Sequence, residues 1–173
     1  MATAAEPIAP EVPTLTRAER ADHAMRQAML WSFGAGFVPS PAFDVAAIGG
    51  IQLNMLHDLG RIYDVPFRDD VGKKLLAALI GGVGARWFSD TFLVSALKLI
   101  PVAGTLLAYA AMPASAAAST YAVAKVFIQH FESGGTFLDF DPAKVKAYFA
   151  QQYAEGKRVV SETMGVKKPA PAK

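Results

Sequence analysis

The 173-residue chain has no cysteine, which excludes disulfides, thiol nucleophiles and Cys-ligated zinc and fits a reducing compartment. Charge is scarce too. Seventeen Lys and Arg face fifteen Asp and Glu for a formal net charge of +2. With no run of interleaved arginines and aromatics, that balance gives no footing for a nucleic-acid partner. The first sixteen residues contain three prolines, Glu6 and Glu11 but no Lys or Arg. They lack the basic front and apolar stretch of a signal peptide, and the N-terminus is expected to stay in the cytoplasm.

The patterns that carry chemistry are missing as well. His23, His57 and His130 lie far apart in sequence and none sits in an HExxH or comparable ligand spacing, so no metal site is expected. A phosphate-binding loop needs Gly-x4-Gly-Lys-Ser/Thr, whereas Gly72-Lys73-Lys74 has Phe67 in place of the first glycine and Lys in place of the hydroxyl. Gly81-Gly82-Val83-Gly84 lies inside an apolar helical pattern, where close helix packing explains it better than a dinucleotide loop. Nothing resembles a nucleophile with a base and an orienting acid. The expectation is a non-enzymatic chain without cofactor.

What the sequence does have is small apolar residues. The apolar fraction is 53% and the mean hydropathy +0.27, above the usual soluble range, with Ala and Gly supplying much of the excess. Small residues let helices approach closely, a packing mode favoured in lipid. The length suits one domain. Residues 1–16 and 165–173 are rich in Ala and Pro or basic and lack a helical period, so both are expected to be disordered tails around one helical domain at 17–164. No internal repeat stands out.

The helical reading is all-α, with about five helices forming two proline-turned hairpins and a C-terminal amphipathic helix. The first helix is expected from about Arg17 to Gly34 or Gly36. Val38-Pro39-Ser40-Pro41 cannot continue it, since each proline lacks an N–H and disfavours the α region before it. Phe43 to Tyr63 follows, with Val45, Ile48, Gln52, Met55, Leu59 and Ile62 on one stripe. Asp69 and Asp70 offer a cap and first-turn negative charge for a helix starting near Val71. On that helix Arg86 and Asp90 are spaced to share a face. Asp141-Pro142 reads as an N-cap with proline at the first helical position, opening a helix to about Thr163. Val145, Tyr148, Phe149 and Gln152 line its inner side, while Lys144, Lys146, Lys157 and Arg158 face out.

Leu99 to Ala124 contains no Asp, Glu, Lys or Arg and is bounded by Lys98 and Lys125. A bilayer core of about 30 Å needs roughly 20 such residues as a helix, so the length suffices. The composition argues against a simple span. Pro101 and Gly104 are expected to break the start and Pro113 the middle, and Ser115, Ser119 and Thr120 add hydroxyls able to bond back to the helix. Ala110, Ala114, Ala118 and Ala122 form a row at four-residue spacing along which another helix can pack, either the Phe43 to Tyr63 helix or a second copy. From Asp139 onward, seven Lys or Arg against four acids give the bias that keeps a flank on the cytoplasmic side.

Asp44, Gln52 and Asn54 stand out as polar residues in an apolar stretch. Such groups are costly unless paired, and at membrane depth they often mark function. The plainer reading makes Asp44 a helix cap and gives Gln52 a hydrogen bond to a neighbouring helix. The other has Asp44 and Gln52 lining a path in a small channel or transporter subunit.

Two stretches carry a family resemblance. PSPAFDVAAIGGIQLNMLHDLGRIYDV and LKLIPVAGTLLAYAAMPASAAASTYAVAKVFIQHFESGG resemble, in order and spacing, the two signatures of the YcjF-like, GTPase-associated family of unknown function. The likeness covers roughly Gln27 to Gly135. In the first, a proline turn and an Asp precede a Gln and a Met at helical spacing. In the second, an Ile-Pro-x-x-Gly turn leads into a small-residue helix and a Thr-Tyr-Ala step. The matching positions are Pro41, Asp44, Gln52, Met55, Pro101, Gly104, Thr120 and Tyr121, none of them catalytic in the family. The resemblance implies a bacterial inner-membrane protein, tails in the cytoplasm, working with a separate P-loop GTPase. The expected partners are membrane lipid, that GTPase and further copies of the chain. The leading expectation is a membrane-associated helical scaffold or adaptor; a soluble helical interaction domain forming a homo-oligomer is the alternative.

Overall fold

The computed structural model describes residues 15–37, 41–81 and 103–165; for 41–45, 103–111 and 164 the description is of the backbone. The Val38 to Ser40 turn, Gly82 to Gly84, the Arg86 and Asp90 pair, Pro101 and most of both expected tails lie outside the described residues. The chain is all-helical. Helix α1 runs Arg17–Ala35, α2 Pro41–Tyr63, α3 over 69–81, α4 Ala103–Glu132 and α5 Lys146–Met164.

Each terminus has a local cause. Thr16, expected in the tail, caps α1: its hydroxyl accepts from the Glu19 amide at 3.2 Å, and the Glu19 carboxylate accepts from the Thr16 amide at 2.7 Å. This reciprocal pair satisfies two amides that the first turn leaves open. Pro41 opens α2, where its missing N–H is no loss. Asp64, with φ of +58°, and the 2.8 Å bond from the Val65 amide to the Gly60 carbonyl close α2. The start of α3 lies ahead of the expected one. The Gly72 amide bonds to the Arg68 carbonyl at 2.9 Å, so Arg68 holds the cap position and Asp69 and Asp70 sit within the first turn, still favoured by the open amides there.

Pro113 does not break α4, contrary to expectation; the helix is continuous across it. The C-terminal end of α1 packs against the proline. A Cβ on Gly36 would lie 2.6 Å from Pro113 Cα and 2.9 Å from its nitrogen, so the two backbones meet where the proline has no N–H to satisfy. At its other end, α4 stops in a Schellman motif: the Gly135 amide bonds to the His130 carbonyl and the Gly134 amide to that of Phe131, with Gly134 at φ +83°. Asp141-Pro142 starts no helix. The Asp141 carboxylate accepts from the Ala143 amide at 2.9 Å and its carbonyl from Lys144 at 3.2 Å, forming a turn, and α5 begins only at Lys146. Phe140, stacked on Phe127 with ring centroids 4.3 Å apart, fixes where that turn must sit.

The helices alternate in direction. Ser32 meets Thr120 and Gly36 meets Pro113, so α1 and α4 are antiparallel. Gln52 also meets Thr120 while Tyr63 reaches Glu132, so α2 runs with α4. Phe140 lies at Phe127 and Gly156 at Ala118, setting α5 against α4. Helix α4 touches α1, α2 and α5. Its inner face is buried through Ala117, Ala118, Ala122, Val123, Val126 and Phe127, and each large side chain so buried contributes about 1.5–3 kcal/mol. Within the alanine row, Ala118 packs against α5: a Cβ on Gly156 would lie 2.9 Å from its carbonyl oxygen.

Two glycines at one helix end test this packing. Gly36→Ala is expected to lower the urea midpoint by about 1–3 kcal/mol of stability, since the added methyl meets backbone that cannot turn aside. Gly34→Ala, with nothing within 4 Å of the added atom, is expected to be neutral or to gain up to about 1 kcal/mol from helix propensity.

Candidate functional site

Three polar side chains meet in the middle of the bundle, one from each of α1, α2 and α4. Ser32, Gln52 and Thr120 are fully buried. The Thr120 hydroxyl donates back to the Ala116 carbonyl at 3.1 Å, which uses its single proton. Its oxygen then accepts from Gln52 Nε2 at 3.2 Å and, at 2.8 Å, from the Ser32 hydroxyl, which must be the donor. Gln52 Nε2 also reaches Ser119 at 3.3 Å. Gln52 Oε1 is buried without a partner, an omission that costs about 1–3 kcal/mol.

This junction has no means of activating a nucleophile. Its hydrogen-bond partners are hydroxyls, one amide and a helix carbonyl, with no imidazole, carboxylate or amine to take a proton. It links helices instead. Next to it Tyr121, 8% exposed, lies under the Lys125 ammonium, 5.6 Å from its ring centroid. Burial raises its pKa, and nearby Glu155 adds to the effect. The Arg26–Asp22 and Arg158–Glu155 ion pairs flank it from α1 and α5, and being exposed they contribute little to stability.

Toward the ends of α2 and α4 the core is aromatic. Phe127, Phe131, Phe137 and Phe140 contact one another, and Phe67 reaches Phe137 edge-on at 5.3 Å. Edge-on and offset rings add about 0.5–1.5 kcal/mol each beyond their burial. Tyr63 tilts against Phe131 and donates its hydroxyl to Glu132 at 3.0 Å. Burial, with the Glu132 bond and charge behind it, pushes the Tyr63 pKa up to about 12. His130 Nε2 lies 2.9 Å from the Thr136 carbonyl, and His23 and His57 are exposed. Among the described residues no three His, Asp or Glu side chains gather to hold a metal ion. A shallow hollow of about 450 Å³ at the α2–α3 turn, lined by His57, Arg61, Asp64 and Phe67 among others, holds no such cluster.

The positions singled out from sequence scatter through this frame. Gln52 and Thr120 come together; Met55 is buried one turn beyond Gln52, and Tyr121 flanks the pair on α4. Pro41 begins α2 and Gly104 is the second residue of α4. Asp44 lies inside the first turn of α2, past the capping position expected for it, and about 12 Å along the helix from Gln52. Asn54 is exposed. Ala118 and Ala122 are fully buried, Ala114 packs against the core, and Ala110 lies on the same helix. Ser32 and Ser119 are additions. Ser32 had one signal in the sequence, a hydroxyl inside an uncharged apolar run.

Such a bundle, its helices linked by buried hydrogen bonds among Ser32, Gln52 and Thr120, is a helical module. The chain belongs to the domain-of-unknown-function family DUF697, whose model matches residues 11–158. It is 34% identical over 150 residues to magnetosome membrane protein 22 of Magnetospirillum gryphiswaldense, covering 87% of this chain and 77% of that protein. No solved structure matches.

Thr120→Val is expected to destabilise by about 1–3 kcal/mol, because it strands the Gln52 amide and the Ser32 hydroxyl together. In a Ser32→Ala/Gln52→Leu background the same change is expected to cost under about 1 kcal/mol, as a denaturation cycle will show. Tyr63 gives a pH signature. With its folded pKa above the unfolded value of 10, its contribution is complete below pH 10 and is lost as pH rises toward 12. Urea midpoints of Tyr63→Phe against the natural chain are expected to fall less steeply over that window.

Proposed function

We propose that this protein is a non-enzymatic, membrane-associated helical scaffold or adaptor. The observation that carries the reading is the use made of Gln52 and Thr120: these polar residues of apolar stretches are buried and bonded to each other inside the bundle. The membrane part is supported by the name of the magnetosome membrane protein and by the uncharged runs of the sequence. No helix among the described residues is long and apolar enough to cross a bilayer. The association proposed is with a bacterial inner membrane, the hairpins sitting in or dipping into it and both tails staying in the cytoplasm.

Resemblance to the YcjF-like family adds a partner to this reading. A separate P-loop GTPase would dock on the bundle and be brought to the membrane by it. Cell fractionation tests the core of the proposal: the chain is expected to sediment with membranes at high speed and to be released by detergent. Recovery in the detergent-free supernatant as a discrete oligomer by size exclusion would instead make it a soluble interaction domain. Pull-down from native membranes is expected to recover a GTPase, and its absence would remove that part alone.

A further inference from the structure

Gln52 is fully buried, and its Oε1 bonds to no described side chain or backbone group. Buried side-chain oxygens are bonded to protein or to ordered water in the large majority of cases, so this one calls for a donor. The junction around it has none to give. The Thr120 proton goes to the Ala116 carbonyl and the Ser32 proton to Thr120, while the two Nε2 protons of Gln52 itself reach Ser119 and Thr120. Turning the amide over makes matters worse. Its oxygen would then face the lone pairs of Thr120, and two N–H donors would stand without acceptors where a single oxygen stands now. The orientation of the amide is therefore fixed, and the donor must come from outside the protein's own groups.

We infer that Gln52 Oε1 holds a buried water molecule, which makes the three-helix junction a binding site with water as its ligand. This is independent of the membrane and GTPase readings above. Water fits the need because it is small and carries two protons, one for Oε1 and one for a helix carbonyl, whose second lone pair is open. Its way in lies between α2 and α4. Ser119, which accepts from Gln52 at 3.3 Å, is half-buried, and so is Gly49. Gly49 sits one turn before Gln52, on the side toward which helical side chains lean, and a Cβ there would meet nothing within 4 Å. On the α1 side the junction is closed by the fully buried Ser32. A bound water satisfies the acceptor that the protein leaves open and gives the register of the three helices one more fixed partner.

Oxygen-17 relaxation dispersion of the full chain counts long-lived internal waters and is blind to hydroxyl protons. Gln52→Met, which keeps the side chain's length but has no carbonyl oxygen, is expected to lose one such water. Gln151→Met, at an exposed position of α5, is expected to lose none. Equal dispersion in the natural chain and a folded Gln52→Met variant would overturn the inference. A crystal structure of the natural chain gives a second reading that needs no variant: a water oxygen is expected at about 2.5–3.0 Å from Oε1. A protein donor in that place, or apolar atoms packed against Oε1, would overturn the inference even if Gln52→Met failed to fold. Neither result bears on membrane association, which fractionation tests separately.

Discussion

The bundle depends on one threonine oxygen. Thr120 Oγ1 accepts from α1 and α2 while its proton returns to the backbone of α4, so three helices are held in register around a single atom. Apolar packing alone allows a helix to slide by a turn at little cost, because alanine surfaces are nearly featureless. A buried hydroxyl with fixed partners does not, since any slip strands polar groups away from water. The small residues around it then serve close approach, with Gly156 over Ala118 and Gly36 over Pro113. Both contacts bring backbone to within reach of backbone, and both depend on the register that the hydroxyl fixes.

From that centre the molecule grades in two directions. Toward the ends of α2 and α4 the core fills with stacked rings, closed by a Schellman motif and covered by charged loops. Toward the close of α1 the charges stop and apolar side chains emerge. A bundle that buries polar groups at its middle is suited to holding its shape. The scaffold reading proposed above draws on this property.

The positions singled out from the sequence have physical places in the bundle. Pro41 starts a helix, Met55 fills the core, Gln52 and Thr120 join α2 to α4, and Tyr121 covers the junction between ion pairs from α1 and α5. These are the demands of assembling one particular bundle.

Much of the frame was legible in the sequence because it is set locally. The all-helical class and the inward stripe of Gln52, Met55 and Leu59 follow from helical period, whereas Pro41, read as part of the turn before a helix from Phe43, itself opens α2. The Thr16 and Glu19 cap was equally legible, as Thr-x-x-Glu before a helix, though it fell inside a stretch read as tail. Other features required the neighbours. Pro113 promised a break in α4, yet the helix runs through it, with Gly36 from 77 positions away packed against it. Asp141-Pro142 promised a helix start and forms a turn, because the Phe140 ring stacks on Phe127. Period and capping act over one or two turns of chain, so the sequence by itself determined which segments are helical and which face of each turns inward. Which hydroxyl meets which amide, and which apolar side chains are left outside, are set by contacts between helices, and those only the tertiary structure decided.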